Sequence, residues 1–132
     1  MRRPRHQIQY GGRWITNDTA LAVLEKRDFS RDNTKVIVDK EHSRVWVSIF
    51  GNQILRWDYG EGAVMFCMCG HGTPTTRERL NGLFEALHKA GVLKRRHSLY
   101  QLMGQQILRT IRAGHDGGVH SPVYTTEWVG LS

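Results

Sequence analysis

The alternation of apolar and polar residues predicts antiparallel β-sheet through the middle of the chain. Between residues 35 and 70, short runs rich in Val, Ile and aromatic residues are separated by turn residues, as is typical of a β-meander. We predict four strands there, at residues 36–38, 44–50, 53–58 and 63–69. A two-residue Gly51-Asn52 loop between the second and third strands would place Trp46 opposite Trp57.

A long helix is predicted at residues 75–90. Thr75 and Glu78 have the spacing of a capping box, in which the two side chains satisfy free backbone N–H groups at a helix start. An apolar stripe with i, i+3, i+4 and i+7 spacing then predicts a face that lies on a core: Leu80, Leu83, Phe84 and Leu87. Gly91 is suited to end the helix in the left-handed conformation of a Schellman motif.

Further elements are predicted towards the two ends of the chain. Thr16 or Asn17 would cap a short helix whose apolar side includes Ala20 and Leu24. Residues 99–103 fit either a last strand or a helical stripe, and we favour the strand.

These elements predict an α+β fold in which an antiparallel β-meander of four to five strands packs against one well-capped helix, with a short N-terminal helix. A chain of 132 residues suits one domain. We divide it into a flexible basic arm at 1–14, a single α+β domain at 15–113, and a Gly/His-rich tail at 114–132. Within the tail, residues 123–129 are a candidate edge strand.

Positive charge is concentrated in two segments of the chain. There are 19 Lys and Arg against 12 Asp and Glu, which gives a formal net charge of +7. Residues 1–17 contain four arginines, residues 86–115 contain six Lys and Arg, and neither segment contains a carboxylate. Such segments attract polyanions, because neutralised phosphates release condensed counterions. The predicted nucleic-acid-binding residues are Lys89, Lys94, Arg95, Arg96, Arg109, Arg112 and Arg77. The alternative is that the charge only maintains solubility.

The start of the long helix is a candidate phosphate site. Arg77, Arg79 and Asn81 lie where backbone N–H groups and the helix dipole favour anions. The alternative is that Arg77 pairs with Asn81 or Glu85 on a solvated face, with Arg79 lying over the sheet.

Four aromatic residues of the predicted meander are candidates for stacking on nucleic-acid bases: Trp46, Phe50, Trp57 and Tyr59. Stacking requires that their face of the sheet is open. We favour the alternative that a helix or the C-terminal segment covers it, because an open face with two Trp would be a large apolar patch.

Two clusters contain metal-ligating residue types. Cys67, Cys69 and His71 supply three possible ligands, but C-x-C is not the usual spacing of a zinc knuckle, and small buried thiols explain the two cysteines as well. The second cluster, His115, Asp116 and His120, lies in a Gly-rich segment that needs no metal to exist. We therefore predict no metal and no cofactor. The one-residue separation of the cysteines disfavours a disulfide between them and suggests a reducing compartment.

No catalytic residue is assigned. The chain has no G-x-S-x-G, P-loop or H-E-x-x-H motif and no dense carboxylate group for metal-dependent nuclease chemistry. No apolar run approaches the ~20 residues of a membrane span, so a non-enzymatic cytoplasmic protein with no membrane partner is expected.

The segment Gly-Thr-Pro-Thr-Thr-Arg-Glu-Arg-Leu-Asn at residues 72–81 resembles a T-x-T-T-x-x-R-L-N motif in small proteins of tailed bacteriophages. In those proteins an extended segment leads through the motif into a helix. Residues 51–56 are similar to their Gly-Asn-turn hairpin, and the resemblance covers residues 33–103. This chain departs from the pattern at Gly70-His71-Gly72, where an aromatic residue is common. The resemblance implies a phage or prophage origin and supplies no activity.

Charge and resemblance together predict a non-enzymatic phage-type protein of the bacterial host cytoplasm that binds nucleic acid or a host nucleoprotein. The alternative is an inhibitor whose cationic surface binds an acidic face of a host protein such as a defence enzyme. A minor metal-dependent enzyme is a third hypothesis that depends on the Cys and His residues alone.

Overall fold

The computed structural model describes residues 13–111 and 117–132, which form two helices and nine strands. The helices are α1 (Trp14–Leu24) and α2 (Pro74–Lys89). The strands before α2 are β1 (Phe29–Arg31), β2 (Thr34–Asp39), β3 (Arg44–Ile49), β4 (Asn52–Asp58) and β5 (Ala63–Phe66). Those after α2 are β6 (Arg96–Leu102), β7 (Gln105–Ile111), β8 (Val119–Val123) and β9 (Val129–Leu131).

The strands form two antiparallel sheets. The larger has the order β1-β2-β3-β4-β5-β9, so that the last strand of the chain pairs with β5 across a long connection. The smaller has the order β6-β7-β8, with consecutive strands paired. Strand β6 begins after α2 ends, so α2 connects the two sheets.

Phe84 of α2 contacts both sheets and lies at the centre of the core. Its ring is 5.1 Å, centroid to centroid, from the ring of Phe66 in β5 and 6.4 Å from that of His97 in β6. The predicted stripe residues Leu80, Leu83 and Leu87 are fully buried with it. The amphipathic pattern of α2 therefore predicted its buried face correctly, and that face meets two sheets instead of one.

The two ends of α2 compare differently with the sequence prediction. The C-terminal Schellman motif is confirmed: Gly91 has φ +81°, and the Val92 N–H donates to the Leu87 carbonyl at 2.9 Å. The capping residue at the other end was predicted wrongly. Thr73, not Thr75, is the N-cap, and its hydroxyl accepts the Thr76 N–H at 3.2 Å.

The caps predicted for α1 are also wrong. The helix begins at Trp14, so Thr16 and Asn17 lie inside it, and both are fully buried. Thr16 accepts a hydrogen bond from Arg79 at 2.8 Å and is also bonded to Glu78. This polar side of α1 therefore faces α2, where it joins a buried network instead of ending a helix.

The turn between β3 and β4 lies one residue earlier than predicted. Phe50 and Gly51 both have positive φ, at +51° and +79°, as a type I′ turn requires. A β-bulge after Val47 then shifts the register and leaves Ile54 as the extra residue, so Trp46 pairs with Arg56 and not with Trp57.

The predicted fold class, a four- to five-stranded meander against one well-capped helix, is wrong. The protein is mostly β, with a six-stranded and a three-stranded sheet and two helices among the described residues. Two features account for the difference. Residues after α2 form a second sheet, of which the favoured strand at 99–103 is part, and the tail contributes β8 and β9.

The predicted arm falls almost entirely on residues 1–12, which lie outside the described residues. Within residues 13–111 and 117–132, neither helix is long and apolar enough to cross a membrane.

Candidate nucleic-acid interface

The three-stranded sheet has one face on the core and one face directed away from it. Alternation along β6 buries His97 and Leu99, and the paired inward positions on β7 and β8 include Leu108 and Val123. We call the opposite side the outer face. Its members, read from the strand register, are Arg96, Ser98, Tyr100, Leu102, Gln105, Ile107, Arg109, Ile111, His120 and Pro122.

Tyr100 and His120 are joined across the width of the outer face. The Tyr100 hydroxyl lies 2.7 Å from His120 Nδ1, and the two rings meet edge to face with centroids 5.7 Å apart. His120 Nε2 lies 2.8 Å from the Gly117 carbonyl, which can only accept, so Nε2 carries the proton. In the neutral imidazole Nδ1 is then the acceptor, and the Tyr100 hydroxyl donates to it.

Arg109 lies in the middle strand, between Ser98 of β6 and His120 of β8. Its Nε donates to the Gly117 carbonyl at 2.9 Å, the same oxygen that binds His120. Gly117 has φ +81°, a conformation that favours glycine, so its backbone can present this carbonyl at the sheet edge. The guanidinium of Arg109 is therefore positioned on the outer face and pairs with no described carboxylate.

Acidic residues are absent from the part of the sequence that builds this sheet. Neither 86–111 nor 117–126 contains Asp or Glu. Glu85 of α2 precedes this segment and pairs with Lys89 at 3.5 Å and with Arg96 at 3.2 Å; Asp116, between the two ranges, lies outside the described residues. Two predicted binding residues are thus partly neutralised by one carboxylate.

Lys94 and Arg95 lie in the connection between α2 and β6, and both are exposed. Neither forms an ion pair with a carboxylate in the described part of the chain. The backbone of Arg95 is fixed, because its N–H donates to the Ser132 carbonyl at 3.1 Å. These two exposed side chains lie beside the start of β6.

The candidate phosphate site at the start of α2 is not formed, because all three side chains have structural partners. Arg77 donates through Nη1 to the Gly72 carbonyl at 2.9 Å and to Gln106 at 3.0 Å. Asn81 binds the backbone of Leu99 in β6. Arg77 therefore connects α2 to β7, a packing role that accounts for its position without a phosphate, and its contact with nucleic acid stays a prediction.

Arg79 is the most deeply buried cation among the described residues, with 2% of its surface exposed. It donates to Glu78 at 2.7 Å, to Thr16 of α1 at 2.8 Å and to Thr34 of β2 at 3.3 Å. Three elements thus meet at one guanidinium, which has no access to an external phosphate.

The four aromatic candidates for base stacking do not share a surface. Trp57 lies on the core side and is 6% exposed, and Tyr59 packs against the core beside it. Trp46 lies on the other side, with the Arg56 guanidinium 5.6 Å from its ring centroid, and Phe50 lies in the exposed turn. The bulge in β4 separates Trp46 from Trp57, so the four residues do not form one stacking surface, and Trp57 lies on the covered side, in line with the favoured alternative.

In the first Cys/His cluster, one cysteine is buried and the other is half-buried. Cys67 is buried, and the Cys69 thiol donates to the Gln53 carbonyl at 2.7 Å. Burial, together with the hydrogen bond and charge interaction with the neighbouring Cys67 thiol, raises the pKa of Cys69 to about 11, so its thiol is protonated near neutral pH. His71 is exposed, and these three residues do not form a ligand group among the described residues.

Asp39, Glu41 and His42 do bring their ligand atoms within 4.8 Å of one another. Glu41 and His42 are exposed, and the hydrogen bond from His42 to Asp39 lowers the pKa of that carboxyl. Hydrogen bonds within a turn, from the His42 backbone and ring to Asp39, account for this arrangement.

Three predicted site residues lie outside the described residues: Arg112 of the basic set, and His115 and Asp116 of the second metal cluster. Sequence reasoning, in turn, did not single out Tyr100 or pair it with His120. The alternation within Arg96–Leu102 carried the signal, because it places Arg96, Ser98 and Tyr100 on one side once the segment is recognised as a strand.

The fold and this surface define a small β-rich protein with a basic sheet face. Residues 12–118 match the family model described as Kyanoviridae Gp96 protein. Because the match spans most of the chain, the chain belongs to this phage protein family, and the phage origin implied by the sequence resemblance is confirmed. The match does not single out the T-x-T-T-x-x-R-L-N motif. No curated protein and no solved structure matches the chain.

Proposed function

We propose that this phage protein binds nucleic acid, alone or in a host nucleoprotein, through a basic surface made of the outer face and the adjoining Lys94 and Arg95. The observation that supports the proposal is the charge distribution. Four Lys and Arg side chains lie along the 94–109 segment, whose sequence contains no carboxylate. Such an unbalanced surface attracts phosphates at long range and releases counterions when phosphates bind.

The four side chains are not equivalent in this proposal. Lys94 and Arg95 are exposed, and Arg109 is positioned by the Gly117 carbonyl. Arg96 pairs with Glu85, so a phosphate has to compete with that carboxylate for it. We therefore assign the main phosphate contacts to Lys94, Arg95 and Arg109. Arg96 and Lys89 contribute to the positive electrostatic potential around them.

Salt-dependent binding to labelled single-stranded DNA, duplex DNA and RNA tests the proposal. A variant with Lys94→Gln, Arg95→Gln and Arg109→Gln should bind every sequence more weakly, with the salt slope reduced by about one for each phosphate that is no longer neutralised. The matched control replaces Arg27, Lys35 and Lys40 by Gln. These residues are exposed and lie on or beside the larger sheet, and the control removes the same total charge.

Equally weakened affinity in the two triple variants would show that only net charge matters and would contradict a localised surface. Arg96 is kept in both variants, because its removal would leave the Glu85 carboxylate free to repel phosphate.

A second candidate function is inhibition of a host protein with an acidic face. The observation that favours it is the turn joining β6 and β7, where Met103 is 97% and Leu102 is 56% exposed. Met103 also lines a groove of about 500 Å³ with Gln101 and Tyr124. Exposed apolar side chains next to a basic face suit a protein partner. Binding of such a partner would depend on Met103, whereas phosphate binding would not.

A further inference from the structure

The Tyr100 side chain extends from β6 across the neighbouring strand β7. Tyr100 belongs to β6 and His120 to β8, and these strands lie on opposite sides of β7. The 2.7 Å contact between the Tyr100 hydroxyl and His120 Nδ1 therefore requires the phenol to extend over β7. Ile107, directly opposite Tyr100 on β7, is only 9% exposed although it lies outside the core cluster. A ring lying over Ile107 accounts for that burial.

This ring is fixed before any ligand arrives. Its hydroxyl donates to His120, and His120 is itself held by the Gly117 carbonyl at 2.8 Å. Tyr100 is half-buried and belongs to the outer face, so part of its side chain remains accessible beside the paired hydroxyl. A preorganised aromatic face loses little conformational freedom on binding, so more of the stacking energy is retained.

We propose that Tyr100 is a base-stacking residue and that the outer face binds single-stranded nucleic acid. This inference rests on the proposed nucleic-acid function. Arg109, one row along the sheet, contacts the phosphate backbone while an unpaired base stacks on Tyr100. A duplex keeps its bases stacked on one another and offers this face only phosphates, so the aromatic contact favours a single strand.

The test compares two oligonucleotides of equal length and charge. One is a normal single-stranded DNA, and the other carries abasic sites throughout its centre, so that it keeps the phosphates and lacks the bases. Wild-type protein should bind the normal strand roughly 5- to 100-fold more tightly, in the range of one or two stacked bases. Tyr100→Ala should bind both equally, and Tyr100→Phe, which keeps the ring, should retain most of the difference. Tyr124→Ala is the control, because Tyr124 is exposed and lies outside this face.

The preference for bases and the presence of binding at low salt together separate failure of this inference from failure of the proposed function. If Tyr100→Ala keeps the wild-type preference for bases, or if wild type binds both strands equally, stacking on Tyr100 is overturned while phosphate binding stands. If no strand is bound at low salt, both proposals fail, and an acidic protein becomes the partner to seek. An unchanged far-ultraviolet circular dichroism spectrum and unfolding midpoint in Tyr100→Ala show that altered binding is not unfolding.

Discussion

Asn81 of α2 binds the backbone of Leu99 in β6 through both ends of its side-chain amide. The Leu99 N–H donates to Asn81 Oδ1 at 2.6 Å, and Asn81 Nδ2 donates to the Leu99 carbonyl at 3.0 Å. Because β6 is an edge strand, these two backbone groups have no neighbouring strand on that side. Asn81 supplies the missing pairing, protects the edge and fixes the small sheet against α2.

Replacing Asn81 by Leu should destabilise the protein, since it leaves a backbone donor and acceptor without their partner. The free energy of unfolding, measured by urea denaturation, should fall by about 1–3 kcal/mol. Gln101→Leu, at an exposed position of the same strand, is the control. Equal stability of the two variants would show that Asn81 is dispensable at this edge.

Arg79→Met should be more damaging, because it removes the buried guanidinium and leaves Glu78, Thr16 and Thr34 without their common donor. Breaking a buried pair by removing one partner costs about 3–5 kcal/mol. Arg27→Met is the matched control: its side chain is 52% exposed and pairs with Glu25, so a change below about 1 kcal/mol is expected. Unfolding midpoints that coincide for the two variants would contradict a structural role for Arg79.

His97 should make stability depend on pH. Burial lowers its pKa below the usual 6.5; the nearby charges of Arg95 and His88 lower it further, whereas the Ser132 carbonyl raises it. The folded state thus favours the neutral ring, while the unfolded chain binds a proton at about pH 6.5. The contribution of His97 to stability is present above that pH and is lost as pH falls towards its lower folded-state pKa.

The measurement is urea denaturation between about pH 8 and about pH 5 for wild type and His97→Gln, which cannot titrate. Wild type should lose more stability than the variant on acidification. Parallel pH profiles would show that protonation of His97 is not coupled to unfolding.

The sequence predicted what local chemistry decides and missed what long-range pairing decides. The stripe from Leu80 to Leu87 and the Gly91 terminus depend on residues within a few turns, and both were predicted correctly. The end of the tail forms strand β9 because it pairs with the edge of β5, which lies over 60 residues earlier in the chain. No periodicity in Val129–Leu131 carries that information.

One inserted residue explains why the aromatic candidates of the larger sheet do not share a face. The bulge leaves Ile54 out of the ladder, so every later side chain of β4 changes face, and Trp57 becomes part of the core. The charge on Lys94, Arg95 and Arg109 was visible in the sequence. That Arg109 lies on the same face as Tyr100 and His120 depends on the register of three strands, which only the structure gives.

The most direct test of the account is the salt dependence of single-stranded nucleic-acid affinity, compared between the Lys94/Arg95/Arg109 triple Gln variant and the Arg27/Lys35/Lys40 triple Gln control. We predict that wild type and control bind with steep, similar slopes of log affinity against log salt, and that the first variant binds more weakly, with a slope shallower by up to about three. Affinities and slopes that are equal in the two variants, or no binding by wild-type protein at low salt, would contradict the proposed interface.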